Sequence, residues 1–447
     1  MANLKKNDYL TTANPLKALF IFFIPIALGN LFQQFYNLVD SSILGHFVSE
    51  QALAAAAACL SLTNVFIFIG NGFGVGAGVA VGRYFGAQNY RQMKVVILTA
   101  YVTGLVLSVI LGIIGFTGGR QFLIWLKTPD DVLPFAVTYL RIYFLGLPFV
   151  IAYNVTASMY NALGKSKFPF FFLIFSSLLN IVLDILFVTR FHFGIAGVAF
   201  ATLIAQGLAC ILSIFVFFKN LRQFNIGRTD FFSKTEFSNI TRIAFPTILQ
   251  QSAISIGMML IQSTINSFGS QVLAGYSVGM RIEALGSAFV LACGVAYSNY
   301  TAQNYGAKKM KRIPQGYLAA NFIVTSICLV FFVLIRIFHS QIIYLLIGRD
   351  CSPEAFSTAK IVLLFNSTVV CILGYKHNAD GVNRGLGRMK VFTIGNLLNI
   401  FIRVAFTKVM VNFIGMSAIW IGNPIGWAVS MLLSYLSYRH ARKELDF

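Results

Sequence analysis

The sequence predicts an all-α polytopic membrane protein, with twelve transmembrane helices in two six-helix lobes related by a pseudo-two-fold axis along the membrane normal. Three observations predict it: few charges, twelve apolar runs joined by short loops, and an internal repeat. Of 447 residues, 57% are hydrophobic and 11% charged, and the mean hydropathy is +0.76. Soluble domains carry about 25% charged residues, so lipid has to be the solvent for most of this surface.

A membrane span needs about 20 mostly apolar residues. Such runs lie near 16–44, 51–80, 93–117, 135–160, 168–188, 195–218, 241–267, 273–298, 315–339, 355–379, 391–412 and 417–438. The connections between them are too short for a separate soluble core.

The net charge of +20 invites a nucleic-acid reading, but its distribution rejects one. Alternate connections hold most of the basic residues. They include Lys5, Lys6 and Lys17, then Arg83, Arg91 and Lys94, and later Lys308, Lys309, Lys311 and Arg312. The opposite connections hold little more than Arg120, Lys127, Arg190, Arg336 and Arg349. The positive-inside rule places the basic side, and with it both termini, in the cytoplasm. The plasma (inner) membrane is the expected location, the chain is expected to be monomeric, and no nucleic-acid partner is expected. The N-terminal MANLKKNDYLTTANPLK has no small-residue cleavage site before the apolar run and does not read as a removed signal peptide. Five of the six cysteines fall within spans and no C-x-x-C occurs, so neither a zinc site nor a disulfide framework is indicated.

The longest polar connection, 219–239, splits the chain into similar halves. The halves match at a spacing of about 220 residues. SEQALA (49–54) lies over GSQVLA (269–274), FGA (85–87) over YGA (305–307), and LLNIVLDILF (178–187) over LLNIFIRVAF (397–406), while Pro25 meets Pro246. The expected domains are an N-terminal lobe (1–225), a cytoplasmic linker (226–240) and a C-terminal lobe (241–447). Six spans return the chain to its starting side, so the halves share one orientation. Parallel repeats of this kind place the substrate site at their interface, near the midplane.

A charge at the bilayer centre costs about 2.5–3.5 kcal/mol on insertion scales. Three acids sit well inside the spans, Asp40, Asp184 and Glu283, and the others fall in loops, tails or span ends. On the first span Gln33, Tyr36, Asn37 and Asp40 recur every three or four residues, which puts them on one helical face. On the fifth, Asn180 stands one turn before Asp184. Thr202 on the sixth is a hydroxyl among apolar neighbours, although a threonine here can instead bond its own i−4 carbonyl. At 1.5 Å per residue Asp40, Asp184 and Thr202 lie within about 6–11 Å of the outer boundary, so they can meet. Two carboxylates, an amide oxygen and a hydroxyl are hard ligands, suited to a shared proton or to Na⁺ at Asp40, Asn180, Asp184 and Thr202.

In the second half, Arg403 stands where the repeat would place Asp184, and a Glu283–Arg403 pair would offset two desolvated charges. Gln250 and Gln251 follow Pro246, as Asn30 follows Pro25. The two prolines are hinge candidates. Gln33, Asn37, Gln250, Gln251, Met258, Glu283 and Arg403 are candidates for a substrate cleft. The run GNGFGVGAGVAVG (70–82) has no strand before it, and its small residues read as helix packing rather than a dinucleotide fingerprint. No P-loop appears, so direct ATP coupling is not expected, and no cofactor is expected beyond a coupling ion, H⁺ or Na⁺.

Several segments resemble the multidrug and toxic compound extrusion (MATE) family: YNLVDSSILGHFVSEQALAA (36–55), VGRYFGAQN (81–89), TYLRIYFLGLPF (138–149), NALGKSKFP (161–169), RIEALG (281–286), NYGAKKMKR (304–312) and RGLGRMK (384–390). The resemblance covers nearly the whole chain, and rests on the order and spacing of the segments. The acid-bearing first and fifth spans look closest to the branch typified by DNA-damage-inducible protein F. The resemblance implies that Asp40, Asn180, Asp184 and Thr202 line a cation site in the first lobe, with Tyr36 nearby. It implies a secondary transporter, not an enzyme, that exchanges small organic, chiefly cationic amphipathic, substrates for a cation by alternating access. The alternative is a flippase for lipid or lipid-linked saccharide of the same superfamily. A polytopic enzyme acting on lipid fits less well, because the loops are short and poor in acids.

Overall fold

The computed structural model describes residues 8–445. Lys5 and Lys6 of the basic set lie outside the described residues. A short helix, α1 (Tyr9–Thr12), precedes twelve long ones: α2 (Pro15–Phe47), α3 (Glu50–Gly86), α4 (Tyr90–Trp125), α5 (Leu133–Ala162), α6 (Lys167–Ile185), α7 (Gly194–Leu221), α8 (Lys234–Asn266), α9 (Ser270–Gly306), α10 (Arg312–Ile347), α11 (Pro353–Gly385), α12 (Met389–Ile414) and α13 (Ser417–Glu444). Each of the twelve is long and apolar enough to cross a membrane. They outrun the apolar windows at several ends because capping residues lie further out. Ser49 accepts from the Ala52 N–H at the start of α3, Asn89 caps α4 through the Gln92 N–H, and Ser352 caps α11 ahead of Pro353.

Contacts group the chain into two compact units, Leu28–Ile248 and Met1–Ala27 with Leu249–Phe447. The changes of unit fall just after Pro25 in α2 and Pro246 in α8, so each of these helices is divided between units. Inside the first unit α3 packs closely on α5. Inside the second α9 packs on α11, the same pair of repeat positions. Glycines make both approaches possible. A Cβ on Gly74 would stand 2.9 Å from the Asn154 carbonyl oxygen and Ser158 Oγ, and one on Gly381 would stand 2.6 Å from the Gly294 carbonyl. Gly76, on another face of α3, admits the Ile240 carbonyl of α8, where a Cβ would stand only 2.5 Å away. The small residues of 70–82 therefore serve helix packing.

Polar side chains at one end tie loops to these units. Glu236, 1% exposed, opens α8 and accepts hydrogen bonds from Tyr84 Oη (2.8 Å) and Gln92 Nε2 (2.7 Å). In the other unit α1 is held at its carbonyls. Asn304 Nδ2 donates to Leu10 O at 3.1 Å, Lys309 Nζ donates to Thr11 O at 3.0 Å, and Arg312 donates to Ala13 O. By the match of FGA with YGA, Tyr84 and Gln92 occupy the repeat positions of Asn304 and Arg312.

Candidate functional site

Three neighbouring helices of the first unit bring the buried acids together. α2 carries Tyr36 and Asp40, α6 carries Asn180 and Asp184, and α7 carries Thr202. The one-turn spacing on α2 and on α6 points each pair to one side. Asp184 is 0% exposed and Asn180 2%, while Asp40 and Tyr36 are half-buried. The Asp40 and Asp184 side chains are close enough to share a hydrogen bond. Each leaves Oδ1 without a donor. Among the described residues neither makes an ion pair with a base.

Asn180 joins the parts, and its O and N are assigned by the hydrogen bonds around them. One way round, Tyr36 Oη donates to Asn180 Oδ1 at 2.5 Å while Nδ2 faces Thr202 Oγ1 at 3.4 Å. Turned over, the amide nitrogen donates to Asp184 Oδ2 at 3.1 Å and the oxygen accepts from the Thr202 N–H at 3.1 Å. The second orientation gives each atom of the amide a complementary partner. Thr202 spends its hydroxyl proton on the Val198 carbonyl, 3.0 Å away, which leaves oxygen lone pairs for a ligand.

Two features near the site escaped the sequence reading. Tyr139 of α5 lies within electrostatic reach of Asp40 and lines a narrow crevice between α5 and α7 with Thr202 and Gln206. It sits in the ordinary aromatic run TYLRIYF, which gives no signal. One residue past Asp184, α6 ends in a π-helical turn, Leu186–Arg190, of the kind often found at functional positions.

Other candidates lie elsewhere. Gln33 Nε2 donates to Asn37 Oδ1 at 3.1 Å along the exposed face of α2. Glu283 (9% exposed) and Arg403 sense each other's charge but do not form the expected contact pair. Instead Glu283 Oε2 accepts from Asn366 Nδ2 at 2.6 Å, and Arg403 Nη2 reaches Met258 Sδ at 3.5 Å. Gln250 is 7% exposed and donates to Asn396 Oδ1 at 2.8 Å. Gln251 offers its backbone carbonyl to Ser255.

Two of the acids that the apolar windows leave in loops or at span ends are buried as well. Glu236 is buried at the start of α8, and Asp380 is 1% exposed within α11. Asp380 Oδ2 pairs with Lys376 Nζ at 2.9 Å, and Oδ1 accepts from Ser434 Oγ at 2.7 Å. Lys376 Nζ also donates to Asn396 Oδ1 at 2.6 Å, so the pair and Gln250 meet at one amide. The apolar window stops at 379, whereas α11 runs to Gly385. A polar helix end buried by its neighbours leaves no hydropathy signal.

The family model described as MatE matches the chain twice, over residues 25–186 and 246–409. The chain is 30% identical over 441 residues to the probable multidrug resistance protein YpnP of Bacillus subtilis (strain 168), covering 98% of each. It is 26% identical over 440 residues to the probable multidrug resistance protein YoeA of the same organism, covering 96% of this chain and 94% of the relative. An outward-facing conformation of a multidrug resistance MATE family transporter of the MOP superfamily has the same fold, with a TM-score of 0.89 at 23% identity and 99% coverage of both chains.

Proposed function

The chain belongs to the MatE family, and from that premise we propose that it is an antiporter exporting organic, chiefly cationic amphipathic, compounds in exchange for H⁺ or Na⁺ by alternating access. The family is one of membrane transporters, so the chain is a multi-pass membrane protein and not an enzyme. The reading of multidrug export draws on the relatives' names. The reading of cation coupling draws on one observation: a buried and a half-buried carboxylate from different helices lie together with no ion-paired base among the described residues.

Two negative charges held together in low dielectric are strongly unfavourable. One positive charge relieves them, either as a shared proton or as Na⁺ between Asp40, Asp184, Asn180 and Thr202. A ligand shifts a conformational equilibrium only by its differential affinity for the two states. That difference arises here because the two acids ride on separate helices. α2 carries Asp40, and the part of α2 up to Ala27 belongs to the other compact unit. A shift of α2 therefore opens or closes the acid pair and changes its cation affinity. Inward cation movement would then drive substrate outward, from a protein with both termini in the cytoplasm and seated in the plasma membrane.

The test is efflux of a panel of cationic dyes from proteoliposomes with pH and sodium gradients imposed separately. One of the two gradients should accelerate efflux, and Asp40→Asn should abolish the acceleration at normal membrane insertion. Efflux indifferent to both gradients would refute the proposal.

A further inference from the structure

Two cavities of the second unit adjoin along α10. The shallower, about 400 Å³, begins at Asn14 and Lys17 near the start of α2 and continues past Phe20 to Ile323. The deeper, also about 400 Å³, runs on between Phe23, Phe289 and Phe331 to Leu334. Ser326 and Ile327 line both, so the two form one groove. α2 and α10 begin on the same side, and depth along the groove therefore follows residue number on both. From Phe322 to Leu334 the α10 wall rises about 18 Å at 1.5 Å per residue, which matches one leaflet of a hydrocarbon core about 30 Å thick.

The chemistry changes along that length. The shallow end offers an exposed ammonium at Lys17, which makes no ion pair among the described residues. Beyond Phe20 the walls are aliphatic and aromatic. The hydroxyl of Ser326 is spent on the Phe322 carbonyl at 3.0 Å, so it offers the groove no donor. Gly286 widens the deep end, where a Cβ would stand 3.1 Å from the Phe331 ring. A cation at the interface and a dry channel one leaflet long complement an anionic headgroup with its acyl chain.

We propose that this groove seats one acyl chain of an anionic phospholipid from the leaflet on the N-terminal side, with its phosphate held at Lys17. The inference rests on the chain being membrane-embedded and is independent of the cation coupling proposed above. It places a specific lipid against the start of α2, the helix that carries Asp40 further along.

The test compares detergent-purified protein relipidated with phosphatidylglycerol or with phosphatidylcholine of the same chains, read by thermal unfolding and by native mass spectrometry. Phosphatidylglycerol should raise the wild-type midpoint by about 2–4 °C over phosphatidylcholine, with one retained adduct. Lys17→Glu should remove the preference between headgroups. Ile327→Trp should fill the groove and lose the adduct for both lipids. If Ile327→Trp is not monodisperse, Ser326→Leu supplies the same test. Preference unchanged in Lys17→Glu, or an adduct retained in the filled groove, would overturn the proposal. So would a groove that retains a cationic dye and no phosphatidylglycerol. Variants of Asp40 should leave the adduct intact, which separates this proposal from the transport reading.

Discussion

Lys376 and Asp380 form an ion pair whose value depends on which partner is removed. Both are 1% exposed. Asp380 has three further interactions: Ser434 Oγ–H at 2.7 Å, Asn396 Nδ2–H at 3.3 Å and the field of Arg384 one turn on. If Lys376 becomes Met, the carboxylate keeps all three. If Asp380 becomes Leu, two buried cations, Lys376 and Arg384, lose their only nearby acid among the described residues. Breaking a buried pair costs about 3–5 kcal/mol. Lys376→Met should fall at the low end and Asp380→Leu at or above the high end. For a unit of about 200 residues that range corresponds to a midpoint loss of about 6–20 °C. The double replacement removes the desolvated charges together and should recover most of the loss, because an apolar pair of similar volume is often neutral or better. Fluorescence-detected size-exclusion of heated samples measures all four proteins. Strictly additive losses, or a Lys376→Met variant less stable than Asp380→Leu, would refute this account of the network.

Gly74→Val should abolish monodisperse protein, because even a Cβ meets the Asn154 carbonyl at 2.9 Å, whereas Gly227→Ala, with nothing within 4 Å, should be neutral. Tyr36→Phe removes the 2.5 Å bond to Asn180 but keeps both acids. It should leave efflux active while changing the half-saturating cation concentration by about 3–10-fold, and an unchanged value would detach Tyr36 from the site. Burial pushes the Asp8 carboxyl above its ordinary value of 3.8, against the pull of Lys309. Docking of α1 is therefore strongest below that ordinary value and weakens as pH rises through the raised one. Hydrogen exchange over residues 9–13, corrected for intrinsic rates, should show this loss of protection in wild type and not in Asp8→Asn.

The membrane helices and the acid cluster were legible in the sequence for the same reason. In a lipid-facing helix a polar residue stands out against its neighbours, and three- and four-residue spacing fixes its face. Tyr36, Asp40, Asn180 and Asp184 met on those grounds alone. Gln33 and Asn37 shared the spacing, but a Gln–Asn pair at i, i+4 can satisfy itself on the helix surface, and periodicity does not distinguish the two outcomes. The Lys376–Asp380 network was illegible because α11 extends past its apolar window into a stretch buried by α9, α12 and α13. Glu236 was missed likewise, since its burial is set by Tyr84 and Gln92, far away in sequence. Glu283 and Arg403 show that two buried opposite charges need not be each other's contact partners.

The most direct measurement is the number of cations moved per substrate molecule, read from simultaneous dye and ion fluxes in proteoliposomes containing wild type, Asp40→Asn, Asp184→Asn and the double variant. If the acids form one site for one ion, each single variant loses all coupled ion movement and the double variant is no worse than either. Coupled flux that persists in both single variants, or falls by independent steps in the double, would contradict the account.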